Sequence, residues 1–305
     1  MYTLYLWGID GKGHPISGES IALVWYLQRH ACESELEVVF GNNTDMSPIG
    51  KLPVLYLNDE EYVHGIESII KALCPQIYSR YSSEQNLMER AAMSILDNDL
   101  RLLNEYQLYL DKKNYVEYTR KQFSRLFYFP FNYNSAYEMR NKAKIDCAHL
   151  EYLSIDDDDI TGVDGENNVE TSEDYELAQS KTFKLKGMKK RQQVEELKSI
   201  RLNRKYMRAL VEFLEQWDDV SNSLSSDSPA FYLFYAYMYV QMTVLPNGEE
   251  ISEYLKDKKG IEYVDKITNT CDNYQSEVNN KLRSRDATFR EQGSLVSSVL
   301  HRLHV

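Results

Sequence analysis

At 305 residues the chain exceeds what one ordinary hydrophobic core organises, so two packed units are expected. Its hydrophobic content of 43% and charged content of 27% exclude a globally disordered polypeptide. The formal net charge of -12 opposes a sequence-independent grip on nucleic acid, which is gained when cations displace the counterions of the phosphate backbone.

The opening third reads as a small α/β unit. Tyr2 to Trp7 is an apolar and aromatic run suited to a buried strand, stopped by Gly8 and the turn pair Asp10-Gly11. Ser17 or Gly18 starts a helix whose positions Ile21, Val24, Trp25 and Gln28 follow the helical period, with Leu23 and Leu27 widening the buried face. Leu36 to Phe40 is a second strand, and strand, helix, strand of this length implies a right-handed parallel crossover. Lys51 to Leu57 gives a third strand, Asn58-Asp59 a turn, and Tyr62 to His64 a short fourth. Ser68 then leads a helix carrying Ile69, Ile70 and Leu73, ended before Pro75. The order β-α-β-β-β-α is that of a thioredoxin-like domain, assigned to residues 1–80.

From Glu84 onward helical periodicity dominates, and residues 84–305 are expected to form an all-α domain. Met88, Ala92, Ile95, Leu96, Leu103, Tyr106 and Leu110 mark one long helix, and Tyr115, Tyr118 and Leu126 another. Pro130 breaks the pattern, inside an aromatic cluster of Phe127, Tyr128, Phe129, Phe131, Tyr133 and Tyr137 that reads either as core at a helix break or as a contact surface. Tyr137 to Leu153 resumes the period. Met207, Leu210, Val211, Leu214 and Trp217 lie on one face of a further amphipathic helix. The uncharged run from Pro229 to Pro246 is short for a membrane span and rich in tyrosine, so it reads as a central buried helix, with Ser228 as its cap and Pro229 at its first position.

Between these helices the charge pattern changes sharply. No Lys or Arg occurs between Lys144 and Lys181, while Asp156 to Asp159, Asp164, Glu166, Glu170, Glu173, Asp174 and Glu176 crowd an insertion at residues 154–177 that is expected to be loosely held. Immediately afterwards Lys181, Lys184, Lys186, Lys189, Lys190 and Arg191 open a basic helix that continues to Arg208. This helix either docks an acidic partner or is neutralised by the acidic segment.

Cys32, Cys74, Cys147 and Cys271 include no C-x-x-C pair, so reduced thiols are expected rather than a zinc or dithiol site. The amino terminus has no basic segment before its apolar run and reads as neither signal nor transit peptide. Among the six histidines only His301 and His304 have ligand-like spacing, without a third ligand, and no metal is expected.

The thioredoxin-like unit, the helical second half and Leu52-Pro53 before a strand together resemble the glutathione-transferase fold, in which that proline is cis. The strings LWGIDGK, SIALVWYL, FGNNTD, GKLPVL, KNYVEYTRKQFSRLFYFP, LAQSKTFK and RDATFREQG are similar, in order and over nearly the whole chain, to the fungal metaxin-like subunit of the mitochondrial sorting and assembly machinery. The resemblance implies that Leu52, Pro53, Glu67 and Ser68 occupy vestigial glutathione-site positions. Ser68 reads first as the cap of its own helix. The loop after the first strand carries no cysteine and offers Ser17 as its one plausible thiol activator, which also reads first as a cap.

The resemblance further implies a non-catalytic, cofactor-free subunit attached peripherally to the cytosolic face of the mitochondrial outer membrane. Its implied partners are a β-barrel core subunit, a second glutathione-transferase-like subunit, the outer-membrane translocase and, indirectly, β-barrel precursors. Candidate contacts are Lys181, Lys184, Lys186, Lys189, Lys190, Arg191, Phe129, Phe131 and Tyr133. The alternative is a cytosolic glutathione transferase.

Overall fold

A computed structural model describes residues 2–30, 36–58, 61–127, 131–148, 181–278, 282–288 and 291; the side chains of 45, 131–134, 181–193 and 195 lie outside that set. The first strand, β1 (Tyr2–Ile9), is the middle of the sheet because Leu4 and Leu6 are wholly buried. Asp10 and Gly11, with φ of 52 and 71, turn it into the two-residue strand β2 (Lys12–Gly13), as a tight turn with left-handed central residues requires. Helix α1 (Gly18–Arg29) crosses over to β3 (Leu36–Gly41), which pairs parallel to β1 with Leu4 opposite Val38. Strand β4 (Val54–Tyr56) lies antiparallel on the other side of β1, and β5 (Tyr62–His64) pairs with β4. The Leu52-Pro53 peptide is cis.

Helix α2 (Ile66–Leu73) corrects one expectation. Its N-cap is Gly65, at φ 80, so the chain passes from β5 into the helix before reaching Ser68. Ser68 is exposed and caps nothing. The short α3 (Pro75–Tyr78) follows. Cys74, at the junction, is disulfide-bonded to a partner outside the described residues, which corrects the expectation of reduced thiols. Spacing rules exclude C-x-x-C pairs but not a bridge between segments that folding brings together. Cys147 and Cys271 are free and buried, and burial pushes both thiols up to about 12.

The helical half begins with a capping box, Ser82 with Gln85, at the head of α4 (Ser83–Ile95). This rod continues through a π turn at Leu96–Leu100, α5 (Arg101–Glu105) and a second π turn at Tyr106–Leu110. Next come α6 (Lys112–Asn114), a π turn at Tyr115–Thr119, and α7 (Arg120–Leu126). Helix α8 (Phe131–Ala148) and the 41-residue α9 (Lys181–Ser221) follow. The uncharged run forms α10 (Pro229–Tyr239) and a π turn at Val240–Val244, packed on α1 and on α12 (Ile261–Ser276) after α11 (Gly248–Lys259).

This central element is core. Leu233, Phe234, Ala236, Tyr237 and Met238 are buried, and Trp217 of α9 stacks on Phe234 at 4.8 Å between ring centres. No described helix is long and apolar enough to cross a membrane.

The second half is not purely helical. After α12 the chain returns to the amino-terminal sheet as β6 (Ser284–Asp286), parallel to β3 with Val39 opposite Arg285. The sheet order is β5-β4-β1-β3-β6.

Candidate functional site

Between the α/β unit and the helical half lies a cleft of ≈ 980 Å³. One wall is built from Trp7 of β1, the first turn of α1 and the loop before β4, including Lys51 and Leu52. The facing wall is one stripe of the helical rod: Asp97, Arg101, Asn104, Glu105 and Leu108 recur near the helical period. Glu138, Lys142 and Asp146, each four residues apart on α8, close a third side.

Close contact fixes the two halves at this point. A Cβ on Gly18 would stand 2.5 Å from Cδ1 of Tyr237, so only glycine lets the head of α1 pack against α10 there. The Ser17 oxygen accepts from the Ser20 backbone N–H at 3.2 Å and from the Ser20 hydroxyl at 3.0 Å, and the Ser20 oxygen accepts in turn from the Trp7 N–H at 3.1 Å. Ser17 thus caps α1 and braces β1 to it. No histidine or cysteine lines the cleft among the described residues. His14 is buried nearby, with Nδ1 accepting from the Ile16 N–H and Nε2 facing Gln122 at 3.3 Å. Burial holds its imidazole at about 4, so it is neutral near pH 7.

Arg101 bridges the two acids on its own helical rod. Its Nε donates to Asp97 at 2.8 Å and its Nη1 to Glu105 at 2.6 Å, with Asp146 at 4.0 Å. Glu19 has no hydrogen-bond or ion-pair partner among the described residues. Burial, reinforced by the Asp97 and Glu105 charges, pushes its carboxyl up to about 7, opposed by Arg101 and Lys51.

The family models match both halves of the chain. Residues 20–140 match the model described as Tom37, outer mitochondrial membrane transport complex protein, and residues 156–305 match the Tom37 C-terminal domain. The chain belongs to the Tom37 family. It is similar to metaxin-1 of Mus musculus, 30% identical over 134 residues, which is 43% of this chain and 41% of that protein. Metaxin-1 of Bos taurus is 29% identical over 134 residues with the same coverage. For metaxin-1 of Homo sapiens the match is 29% over 134 residues, 43% of this chain and 28% of that protein. The matched region therefore spans well under half the length of these curated relatives.

In this Tom37 family member the vestigial positions are not gathered at one point. Leu52 lines the cleft and Pro53 is buried behind it. Glu67 and Ser68 do not line it; Glu67 pairs with Lys71 and lies 3.7 Å from Arg90 Nε. The backbones of Lys181, Lys184, Lys186, Lys189, Lys190 and Arg191 are helical in α9, and those of Phe131 and Tyr133 in α8, but their side chains lie outside the described residues. Phe129 and the acidic insertion also lie outside them. Further along α9, Arg201, Arg204 and Arg208 are exposed.

Sequence reasoning missed Glu19, Asn104 and Glu89. Glu19 follows a cap serine in a helix's first turn, where an acid reads only as a partner of the helix dipole. Glu89 lies on α4 and accepts at the head of α10, from the Ser228 hydroxyl at 2.5 Å and the Ala230 N–H at 3.1 Å. No local signal connects residues so far apart.

Proposed function

We propose that the chain is a non-catalytic subunit of the mitochondrial sorting and assembly machinery, which inserts β-barrel proteins into the outer membrane. The observation that carries this reading is the match of both halves to a family described by its outer mitochondrial membrane transport complex. On this reading the protein sits peripherally on the cytosolic face, held by a β-barrel core subunit and a second transferase-like subunit. It supports assembly and release of precursors and links the machinery to the translocase. The lack of a described helix able to span a bilayer supports peripheral attachment.

The cleft supports scaffolding over thiol transfer. The Ser17 oxygen is engaged in capping, and Glu19 adds an acid to the cleft wall, which disfavours an anion such as glutathione. A glutathione-affinity column should pass the protein through. Retention with thiol-conjugating activity would favour the transferase instead.

Alkaline carbonate extraction of mitochondria depleted of the β-barrel core should release the protein, and affinity purification from intact mitochondria should recover that core. Retention in the depleted pellet, or purification free of the core, would count against the assignment. The basic stretch Lys181 to Arg191, with Phe129, Phe131 and Tyr133, is the proposed partner contact. Reversing Lys184, Lys186, Lys189 and Lys190 to Glu should weaken translocase association most at low salt.

A further inference from the structure

Two acceptors of the inter-domain cleft make no hydrogen bond among the described residues. Glu19 is half-buried without a partner, and Asn104, 3% exposed, leaves its Oδ1 buried and unbonded. Both line the same cleft. An unsatisfied buried acceptor costs free energy that a bound donor recovers. Carboxylates also outnumber cations here: Glu19, Asp97, Glu105, Glu138 and Asp146 face Lys51, Arg101 and Lys142. Arg101 already donates through Nε to Asp97 and through Nη1 to Glu105, and the two lysines are exposed to water at the rim.

We propose that this cleft binds the basic side chain, Arg or Lys, of an extended peptide segment, with the Glu19 carboxylate and the Asn104 carbonyl oxygen as its acceptors. A guanidinium or ammonium group carries donors only and positive charge, which fits both the unfilled acceptors and the excess of carboxylates. A volume of ≈ 980 Å³ admits the neighbouring residues of a segment as well as the one side chain. The inference is independent of the mitochondrial assignment, since it concerns what the cleft holds wherever the protein works.

The groups facing Glu19 are Asp97, Arg101 and Glu105 of the helical rod, Lys51 of the loop before β4 and Tyr237 of α10. Of these carboxylates, Asp97 and Glu105 are tied to Arg101, so Glu19 is the acid free to receive an incoming cation. Occupancy should therefore follow its ionisation, rising through about pH 7.

The test is calorimetric titration of the full chain with N-acetyl-Gly-Arg-Gly-amide, its citrulline counterpart, glutathione and spermidine. The arginine peptide should bind at least about ten-fold more tightly than the citrulline peptide at pH 8. That preference should fall several-fold at pH 6, and Glu19→Gln should abolish it at both pH values. Should the variant fail to fold, the pH dependence in the wild-type chain decides by itself. No binding of the arginine peptide, or equal binding of the citrulline peptide, would overturn the proposal. Tighter binding of glutathione would do the same, and spermidine binding as well as the peptide would overturn the peptide assignment.

Discussion

Glu89 is 1% exposed and stands at the head of α10, where it accepts from the Ser228 hydroxyl and shares the Ala230 N–H with the Ser228 oxygen. Burial raises its carboxyl while those two bonds pull it down, so the residue is held by opposing effects. Removing it in Glu89→Ala should cost roughly 2–3 kcal/mol in urea denaturation, from a lost cap and a small cavity. A double-mutant cycle with Ser228→Ala should show coupling of at least about 0.5 kcal/mol; additive losses would mean that the two residues do not act together. Glu19 behaves oppositely. Its folded carboxyl, at about 7, lies above its ordinary value of 4.5, so the native state keeps a proton that the unfolded chain releases between those values. Its penalty is absent below about pH 4.5 and complete above about pH 7. Glu19→Gln should stabilise the protein by roughly 1–2 kcal/mol at pH 8, after allowing for partial exposure, and by nothing at pH 4. A destabilised variant at pH 8 would show that an unseen partner holds the carboxylate.

At the scale of elements, β6 depends on Glu291. That carboxylate accepts from Arg285 through both terminal nitrogens at 2.6 and 2.9 Å, from Thr288 N–H and hydroxyl at 2.8 and 2.7 Å, and from the Tyr5 hydroxyl at 2.9 Å. Arg285 also donates to Glu37 of β3 at 3.0 Å, so one cluster ties β6 to both β1 and β3. These donors, Arg285 foremost, hold Glu291 down at about 2, below its ordinary 4.5. Its contribution is full above pH 4.5 and is lost as pH falls toward 2. Glu291→Gln should cost about 1–2 kcal/mol at pH 7, with the two melting curves converging near pH 2. The sequence carried the string RDATFREQG but not this role, because Ser284, Arg285 and Asp286 have no apolar alternation and their pairing is supplied by β3. Strands β1, β3, β4 and β5 were legible since each carries its own apolar run, whereas the two-residue β2 carries none and lay in what read as the loop after the first strand. Helix starts at Ser17 and Ser228 were legible for the same local reason, whereas Gly65 displaced Ser68 through a backbone angle that spacing does not encode.

Across the whole molecule, the two-part organisation follows from the switch from strand runs to helical period near Glu84, and the structure has both parts. The cleft between them was not legible in detail. Its walls come from β1, α1, the helical rod and α8, and its charged residues lie on separate elements that no single stretch of sequence brings together. The return of β6 to β3 sets an order on biosynthesis. The outer edge of β3 lies open until residues 284–286, far along the sequence from β3, have left the ribosome. The sheet that β1 and β3 begin is therefore completed only after the helices between β3 and β6 have been made, and a nascent chain must wait with an unpaired strand exposed. A truncation ending at residue 281 should be captured by general chaperones and aggregate at concentrations where the full chain stays dispersed. Adding a peptide of residues 282–305 in trans should restore its dispersal, because the missing edge needs only a partner strand, not a covalent one.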